Sequence, residues 1–202
     1  MSDSDLRQHA PATERNRSFI LAVLERVLPK SGVVLEIGSG SGEHIVFFAQ
    51  RLTGLTWQPS EMTERALPSI EAWIDHAGVE NVRAPMTLDV NSDDWRTNDF
   101  AAIFCCNVIH YSPWHSTLAL LDGAARRLPE GGVLYFYGPY RRNGQHTSPS
   151  NETFDAWLKQ RNPEFGVRDL ETVQAEAASR GLALSEVIDM PANNLSLVFI
   201  KQ

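Results

Sequence analysis

One stretch near the start constrains this chain more than any other. Val33-Val34-Leu35-Glu36-Ile37 runs into Gly38-Ser39-Gly40-Ser41-Gly42, and an apolar helical pattern follows at Ile45, Val46, Phe48, Ala49 and Leu52. A short run that is apolar on both faces needs cover on both sides, as in the centre of a parallel α/β sheet. A glycine-rich turn between such a strand and a helix brings a ligand close to free N–H groups at the helix N-terminus. The dinucleotide fingerprint requires a glycine three residues after its second one. Glu43 holds that position, so the pattern is G-x-G-x-G and counts against a nicotinamide dinucleotide. Glu43 and His44 in the first helical turn would also crowd a pyrophosphate. No Gly-Lys-Ser/Thr follows, so the Walker pattern is absent. The bland alternative is a glycine-rich turn with no ligand.

The rest of the chain repeats the strand-helix alternation. Thr13 to Leu28 carries apolar residues at helical spacing and stops at Pro29. A second unit reads as strand Leu55-Thr56-Trp57, a turn at Gln58-Pro59-Ser60 and a helix across Glu64 to Ala77. A third strand lies around Val82 to Val90, with Pro85 marking it as distorted or at an edge and Asp89 at its end. Ala101 to Val108 is the most apolar strand, followed by helix Ser116 to Leu128 and strand Val133 to Tyr137. Helix Asp169 to Arg180 precedes two strands, Ala183 to Asp189 and Leu195 to Lys201, whose short loop predicts an antiparallel hairpin. At 202 residues, one domain (1–202) is the expectation. Within it, residues 1–30 form an N-terminal helix and cap, and the Gly, Pro, Asn, Ser and Arg-rich segment 138–163 forms a polar insert with a helical interlude near Asn151 to Arg161.

Charge and cysteine usage narrow the setting. The formal net charge is -7, and no run of four Lys or Arg occurs, so duplex nucleic acid is disfavoured as a main partner. Met1 to Gln8 lacks an apolar signal core, and no stretch approaches 18 apolar residues, which predicts a cytoplasmic protein without a membrane anchor. Cys105 and Cys106 are the only cysteines. As neighbours on a strand they point to opposite faces, poorly placed to bond each other or to share a metal, and no metal site is expected.

Glu36, an acid beside a buried strand end, needs a partner, and a ligand ammonium would serve. S-adenosylmethionine, with an amino acid end, an adenosine and a positive sulfonium, suits this loop better than a dinucleotide does. Val33 to Gly42 resembles the first motif of the class I S-adenosylmethionine-dependent methyltransferases, and the later strand ends follow their layout. Ala10 to Asn16, Trp57-Gln58-Pro59-Ser60, Tyr137-Gly138-Pro139-Tyr140 and Met190 to Leu197 together resemble the group that includes methyltransferase-like protein 26. The likeness covers nearly the whole chain. It implies an α/β fold: a Rossmann-like, doubly wound, mostly parallel seven-stranded sheet with helices on both faces and a C-terminal antiparallel hairpin.

Carried over by position, the resemblance assigns the methionyl end of the cofactor to Glu36, Gly38, Ser39, Gly40 and Gly42. The ribose acid at the end of the second strand is replaced by Gln58, followed by Ser60 and Glu61. An amide binds a diol more weakly than a carboxylate does, and Glu61 either supplies the missing charge or is a solvated acid. Asp89 with Val90 matches the adenine-contacting strand end, against the alternative of a turn aspartate. Asn107 completes the cofactor set.

Asn107-Val108-Ile109-His110-Tyr111 stands where the reaction centre is expected and lacks the Asn/Asp-Pro-Pro-Tyr/Phe signature of enzymes that methylate planar amino groups. His110 is the candidate general base, with Tyr111 beside it, against structural readings for both. Arg15, Asn16, Tyr140, Arg141, His146 and Asn193 are the candidate acceptor-binding residues. Surface solvation is the alternative for the cations, and a left-handed hairpin turn for Asn193. The function expected is methyl transfer from S-adenosylmethionine to a small-molecule acceptor. The rival is a binding or regulatory protein that keeps the fold without the chemistry. The acidic surface disfavours protein or RNA as acceptor, and no oligomeric state is implied.

Overall fold

The computed structural model describes residues 5–96 and 99–202, so the first four residues of the expected cap lie outside the described part. The apolar run of the opening motif forms β1 (Gly32–Ile37), buried from Val34 onward. Parallel neighbours flank it on both sides: β2 (Leu55–Glu61) and β4 (Ala102–Cys106). The sheet continues through the short β3 (Met86–Thr87) beyond β2 and through β5 (Val133–Gly138) beyond β4. The hairpin β9 (Leu182–Met190) and β10 (Asn194–Lys201) completes it, giving the order β3-β2-β1-β4-β5-β10-β9. β10 runs antiparallel to both β5 and β9, so the last strand in chain order is interior. This is the seven-stranded, doubly wound α/β architecture expected.

Strand alternation divides the apolar residues between two cores. Leu35, Ile37, Ile103, Cys105, Phe136 and Phe199 face one side, covered by α4 (Trp114–Arg127) and α6 (Leu170–Ala178). Val34, Trp57, Phe104, Tyr135 and Val198 face the other, under α1 (Pro11–Val27), α2 (Glu43–Ala49) and α3 (Leu67–Ala77). Phe104 stacks on Tyr135 at 5.4 Å and meets Phe48 edge-on at 5.5 Å. Full burial of each such ring is worth about 1.5–3 kcal/mol. Cys105 and Cys106 fall on opposite faces, as the alternation requires.

Several boundaries differ from the sequence reading, and of the third strand expected around Val82 to Val90 only Met86–Thr87 forms a strand. β2 does not turn at Gln58-Pro59-Ser60 but runs on to Glu61, in register with β1 through Ile37↔Ser60. On its outer side the ladder is interrupted, because neither Pro59 nor Pro85 has an N–H to give. Trp57 still bonds Asn81 and Arg83 there, and the Gln58 side chain donates to the carbonyls of Pro59 and Ala84, both at 3.0 Å. β4 stops at Cys106 because Asn107 takes φ 62°, which turns the chain into a 3-10 turn over Val108–His110. The segment after β5 is more structured than its composition suggests. β6 (Tyr140–Arg142), β7 (Gln145–His146) and β8 (Arg168–Asp169) form a separate three-stranded sheet. Between β7 and β8 lies α5 (Pro149–Arg161), whose N-cap Ser148 accepts from Asn151 N at 3.2 Å. Among the described residues, no helix is long and apolar enough to cross a membrane.

Candidate active site

The carboxyl ends of β1, β2, β3 and β4 open on a cleft of two joined lobes. One, of about 360 Å³, is mainly apolar, with Ile37, Leu88, Val90, Val108 and Phe165 in its wall and Asp89 at its edge. The other, of about 530 Å³, lies between the glycine loop and the start of α1, with Thr13, Asn16, Ser41, His44 and Cys106 in its wall. Gly38, Glu61, Met62, Val108, Tyr111 and Ser112 belong to both. Ligands of open α/β sheets bind at this edge.

The loop between β1 and α2 is held from below and left open above. Ser39 donates its N–H to the Ser60 carbonyl at 2.9 Å, and the Ser60 hydroxyl donates to the Glu36 carbonyl at 2.7 Å. Gly40 stands at φ +58° with nothing within 4 Å of where a Cβ would lie, so a ligand can approach its backbone. Its N–H donates to Glu61 Oε1 at 2.7 Å. The extension of β2 therefore puts a carboxylate, not an amide, at the end of the second strand. Gln58, expected as the ribose contact, is instead a buried structural residue that serves carbonyls stranded by two prolines.

Glu36 is 1% exposed and its Oε2 has no partner. Burial pushes its carboxyl up to about 8, with the Ser39 hydrogen bond opposing and the Glu61 charge reinforcing the shift. Asp89 faces the apolar lobe, and its Oδ1 accepts from Asn91 N at 2.9 Å and Asn91 Nδ2 at 2.8 Å. The turn geometry and the cleft position thus coexist at this residue.

Glu43, where a dinucleotide fold would have glycine, fastens the N-terminal segment. Its Oε2 accepts from Ala10 N at 2.6 Å, the N–H just ahead of α1, and from Ser41 Oγ at 3.0 Å. Gln8 N donates to Ser69 Oγ at 2.9 Å, and Trp73 Nε1 donates to the Gln8 carbonyl at 2.9 Å. The chain start is thereby laid across α2 and α3, and the first turns of α1 become a cleft wall. Helical spacing turns Asn16 into that wall while Arg15 stays exposed.

The opposite bank departs from expectation. His110 is fully buried and lines neither lobe. Its Nδ1 accepts from Arg168 N at 3.3 Å, its ring meets Tyr140 edge-on at 5.0 Å, and its Nε2 has no partner. Burial and the nearby Arg168 hold its pKa down to about 3. A neutral ring walled in by protein has no path to an acceptor, so the cleft-facing base expected here is not found. Tyr111 does reach the cleft, with Phe154, Trp157 and Phe165 at ring distances of 5.9, 6.0 and 6.5 Å.

The other expected acceptor residues are not gathered at the cleft. Tyr140 is fully buried, and Arg141 lies beside it on β6. His146 Nε2 stands 3.4 Å from Asp155 Oδ2. Asn193 takes φ +58° in the β9–β10 turn, its amide donating to Ser150 Oγ at 3.2 Å and its carbonyl accepting from Asn151 Nδ2 at 2.9 Å. These partners explain the polar composition of the insert without a ligand.

Sequence reasoning missed His44 as a cleft residue, reading it only as an obstacle to pyrophosphate. The signal was its place in the first turn of α2, directly after the glycine loop.

A family model described as a protein of unknown function, DUF938, matches residues 7–201. Among solved structures, an O-methyltransferase family protein from Burkholderia thailandensis is similar at 13% identity and TM-score 0.82, covering 95% of this chain and 57% of that one. An O-methyltransferase described as putative, from Nostoc punctiforme, is similar at 16% identity and TM-score 0.80, covering 92% and 55%. CalO1, a methyltransferase in calicheamicin biosynthesis solved with SAH bound, is similar at 14% identity and TM-score 0.74, covering 92% and 54%. The chain thus spans a little over half the length of these proteins, and at such identities the likeness establishes the fold alone.

Proposed function

The chain belongs to the DUF938 family, and we propose that it is an S-adenosylmethionine-dependent methyltransferase acting on a small molecule. The observation that carries this reading is Glu61: a carboxylate at the end of β2, at the junction of the two lobes, with one oxygen on the Gly40 N–H. A bilobed cleft with an acid at its waist suits an adenosine joined to an amino acid end. The open face of Gly40 fits the same ligand, while the unpartnered Glu36 Oε2 is buried at the end of β1, outside the lining of either lobe. The two neighbours named as O-methyltransferases, and the methyltransferase CalO1 solved with SAH, support it. So do the motifs that resemble the group of methyltransferase-like protein 26.

In this reading the Gly38 to Gly42 loop holds the amino acid end, and Glu61 takes the ribose role first given to Gln58. Asp89, Val90 and Leu88 hold the adenine. The bound cofactor supplies a methyl group already activated on a positive sulfonium. The protein's own work is to align an acceptor and keep water out. The strap fastened by Glu43 and the wall at Tyr111 close the second lobe from two sides. A single domain across residues 1–202 and a cytoplasmic setting belong to the same reading.

Titration calorimetry with S-adenosylmethionine and with its demethylated product tests it. Micromolar binding, about -8 kcal/mol, is expected, and Asp89→Ala should weaken it by about 1–3 kcal/mol. No heat from either ligand, with binding of NAD instead, would overturn the assignment.

A further inference from the structure

With His110 walled in, the second lobe still contains an oriented histidine. His44 Nε2 lies 2.8 Å from Asn16 Oδ1. An amide oxygen can only accept, so Nε2 carries the proton and Nδ1 is a bare lone pair. Nδ1 has no hydrogen bond among the described residues, and it is not one of the buried atoms left without a partner. The ring plane is fixed by stacking on Phe48, at 5.4 Å and 7° between planes, with Phe104 edge-on at 6.3 Å. Tyr137, whose pKa burial pushes up to about 12, has Asn16 and Asn194 beside its hydroxyl, both opposing that shift. A base whose second nitrogen is held by an amide follows the logic of nucleophile-base-orienter arrangements. Both His44 and Asn16 line the cleft.

The wall chemistry narrows the acceptor. Among the described residues, no Lys or Arg lines either lobe, and Glu61 and Asp89 are the charged side chains that do. A carboxylate or phosphate acceptor would find no cation and two acids. A neutral hydroxyl fits, and it is the acceptor that needs a base, because its proton must leave as the oxygen is methylated.

Building on the methyltransferase reading, we propose that His44 takes the acceptor's proton, that Asn16 positions it, and that the acceptor is an uncharged hydroxyl compound. The acceptor oxygen bonds to the methyl carbon as the methyl–sulfur bond breaks, its electron pair staying on sulfur. The hydroxyl proton passes to His44 Nδ1 and then to water. Burial and the nearby Arg17 hold His44 down to about 4, so the ring is neutral at neutral pH but a weaker base than a free imidazole, and its role stands on its geometry.

Two measurements test this. Long-range nitrogen-proton spectra of histidine-labelled wild-type protein should show His44, assigned by its loss in His44→Gln, as the Nε2–H tautomer. Asn16→Asp should keep that tautomer and Asn16→Leu should mix it. Methyl transfer from S-adenosylmethionine to a panel of phenol, catechol and primary alcohols, with benzoate and aniline as controls, should be confined to the hydroxyl compounds. For the best of them, kcat should fall about 10²- to 10⁴-fold in His44→Gln. Asn16→Asp should retain more activity than Asn16→Leu, with kcat compared at saturating cofactor because both residues line the lobe given to the cofactor's amino acid end. An Nδ1–H tautomer in the wild type, undiminished kcat in His44→Gln, or no transfer to any hydroxyl compound by protein that binds the cofactor each overturns the proposal. Failure to bind the cofactor at all would instead overturn the methyltransferase reading.

Discussion

The two banks of the cleft use the same kinds of residue to opposite ends. On the glycine-loop bank, His44 has one ring nitrogen held by Asn16 and lines the cleft, and Gly40 has open space where a side chain would begin. On the β4–β5 bank, His110 has one nitrogen held by Arg168 N and the rest enclosed. Gly138 is there so that backbone can approach it, since a Cβ would lie 2.5 Å from His110 Nε2 and 3.0 Å from Asn107 Oδ1. A histidine or a glycine at the carboxyl end of a strand is thus not yet a site residue. What separates the two banks is whether the polar atom looks into space that a ligand can enter.

The largest effect is expected at Glu36, which is buried at the end of β1 outside both lobes with one carboxyl oxygen unpartnered. Its folded pKa of about 8 lies above the ordinary carboxylate value of 4.5. The native state therefore holds a proton that the unfolded chain has lost, and stability declines as pH rises from about 4.5 to 8. Glu36→Gln should abolish that decline, gaining roughly 4 kcal/mol over the wild type between pH 5 and pH 9, read from urea midpoints. Parallel curves for the two proteins would show that the fold does not hold Glu36 protonated. If a ligand ammonium draws the proton off, calorimetry in buffers of different ionisation enthalpy should show proton release at pH 7 that Glu36→Gln lacks.

Next in size is the enclosed bank. His110→Ala and Gly138→Ala should each cost about 1–3 kcal/mol by thermal unfolding, the first by unpairing Arg168 N and the second by overpacking, with cofactor affinity unchanged. The sign at His110 is opposite to that at Glu36. Its pKa is depressed to about 3 from 6.5, so the native neutral ring contributes stability above pH 6.5 that is lost as pH falls toward 3. His110→Gln should flatten that acid limb. A His110 variant that stays fully stable yet loses turnover would restore it as the base.

The smallest stability effect is expected at Gly40→Ala, about 1 kcal/mol for a side chain at positive φ, but with a clear loss of cofactor affinity. Full affinity in this variant would separate the loop from the ligand.

The sheet, its helices and the hairpin were legible because period, apolar runs and glycine punctuation are local signals. The true end of β2 was not. Pro59 reads as a turn, and only the pairing with β1 on one side and the Gln58 amide on the other keep the strand extended through it. That one displacement moved the strand-end acid from Gln58 to Glu61. The burial of His110 was equally hidden, because it depends on Arg168, Tyr140 and Gly138, up to 58 residues away in sequence. Asn16 was found through its motif, but its partner His44 lies 28 residues on and is joined to it only by folding.

The place of β10 inside the sheet bears on how the molecule is made. Every other strand leaves the ribosome before the one that separates β5 from β9. Until then both present unpaired edges. A nascent chain can assemble the glycine loop and its parallel neighbours early, but the insertion of β10 must wait until both β5 and β9 have been made. That late step, long-range in sequence and antiparallel to both neighbours, is where slow folding and competition from aggregation would concentrate.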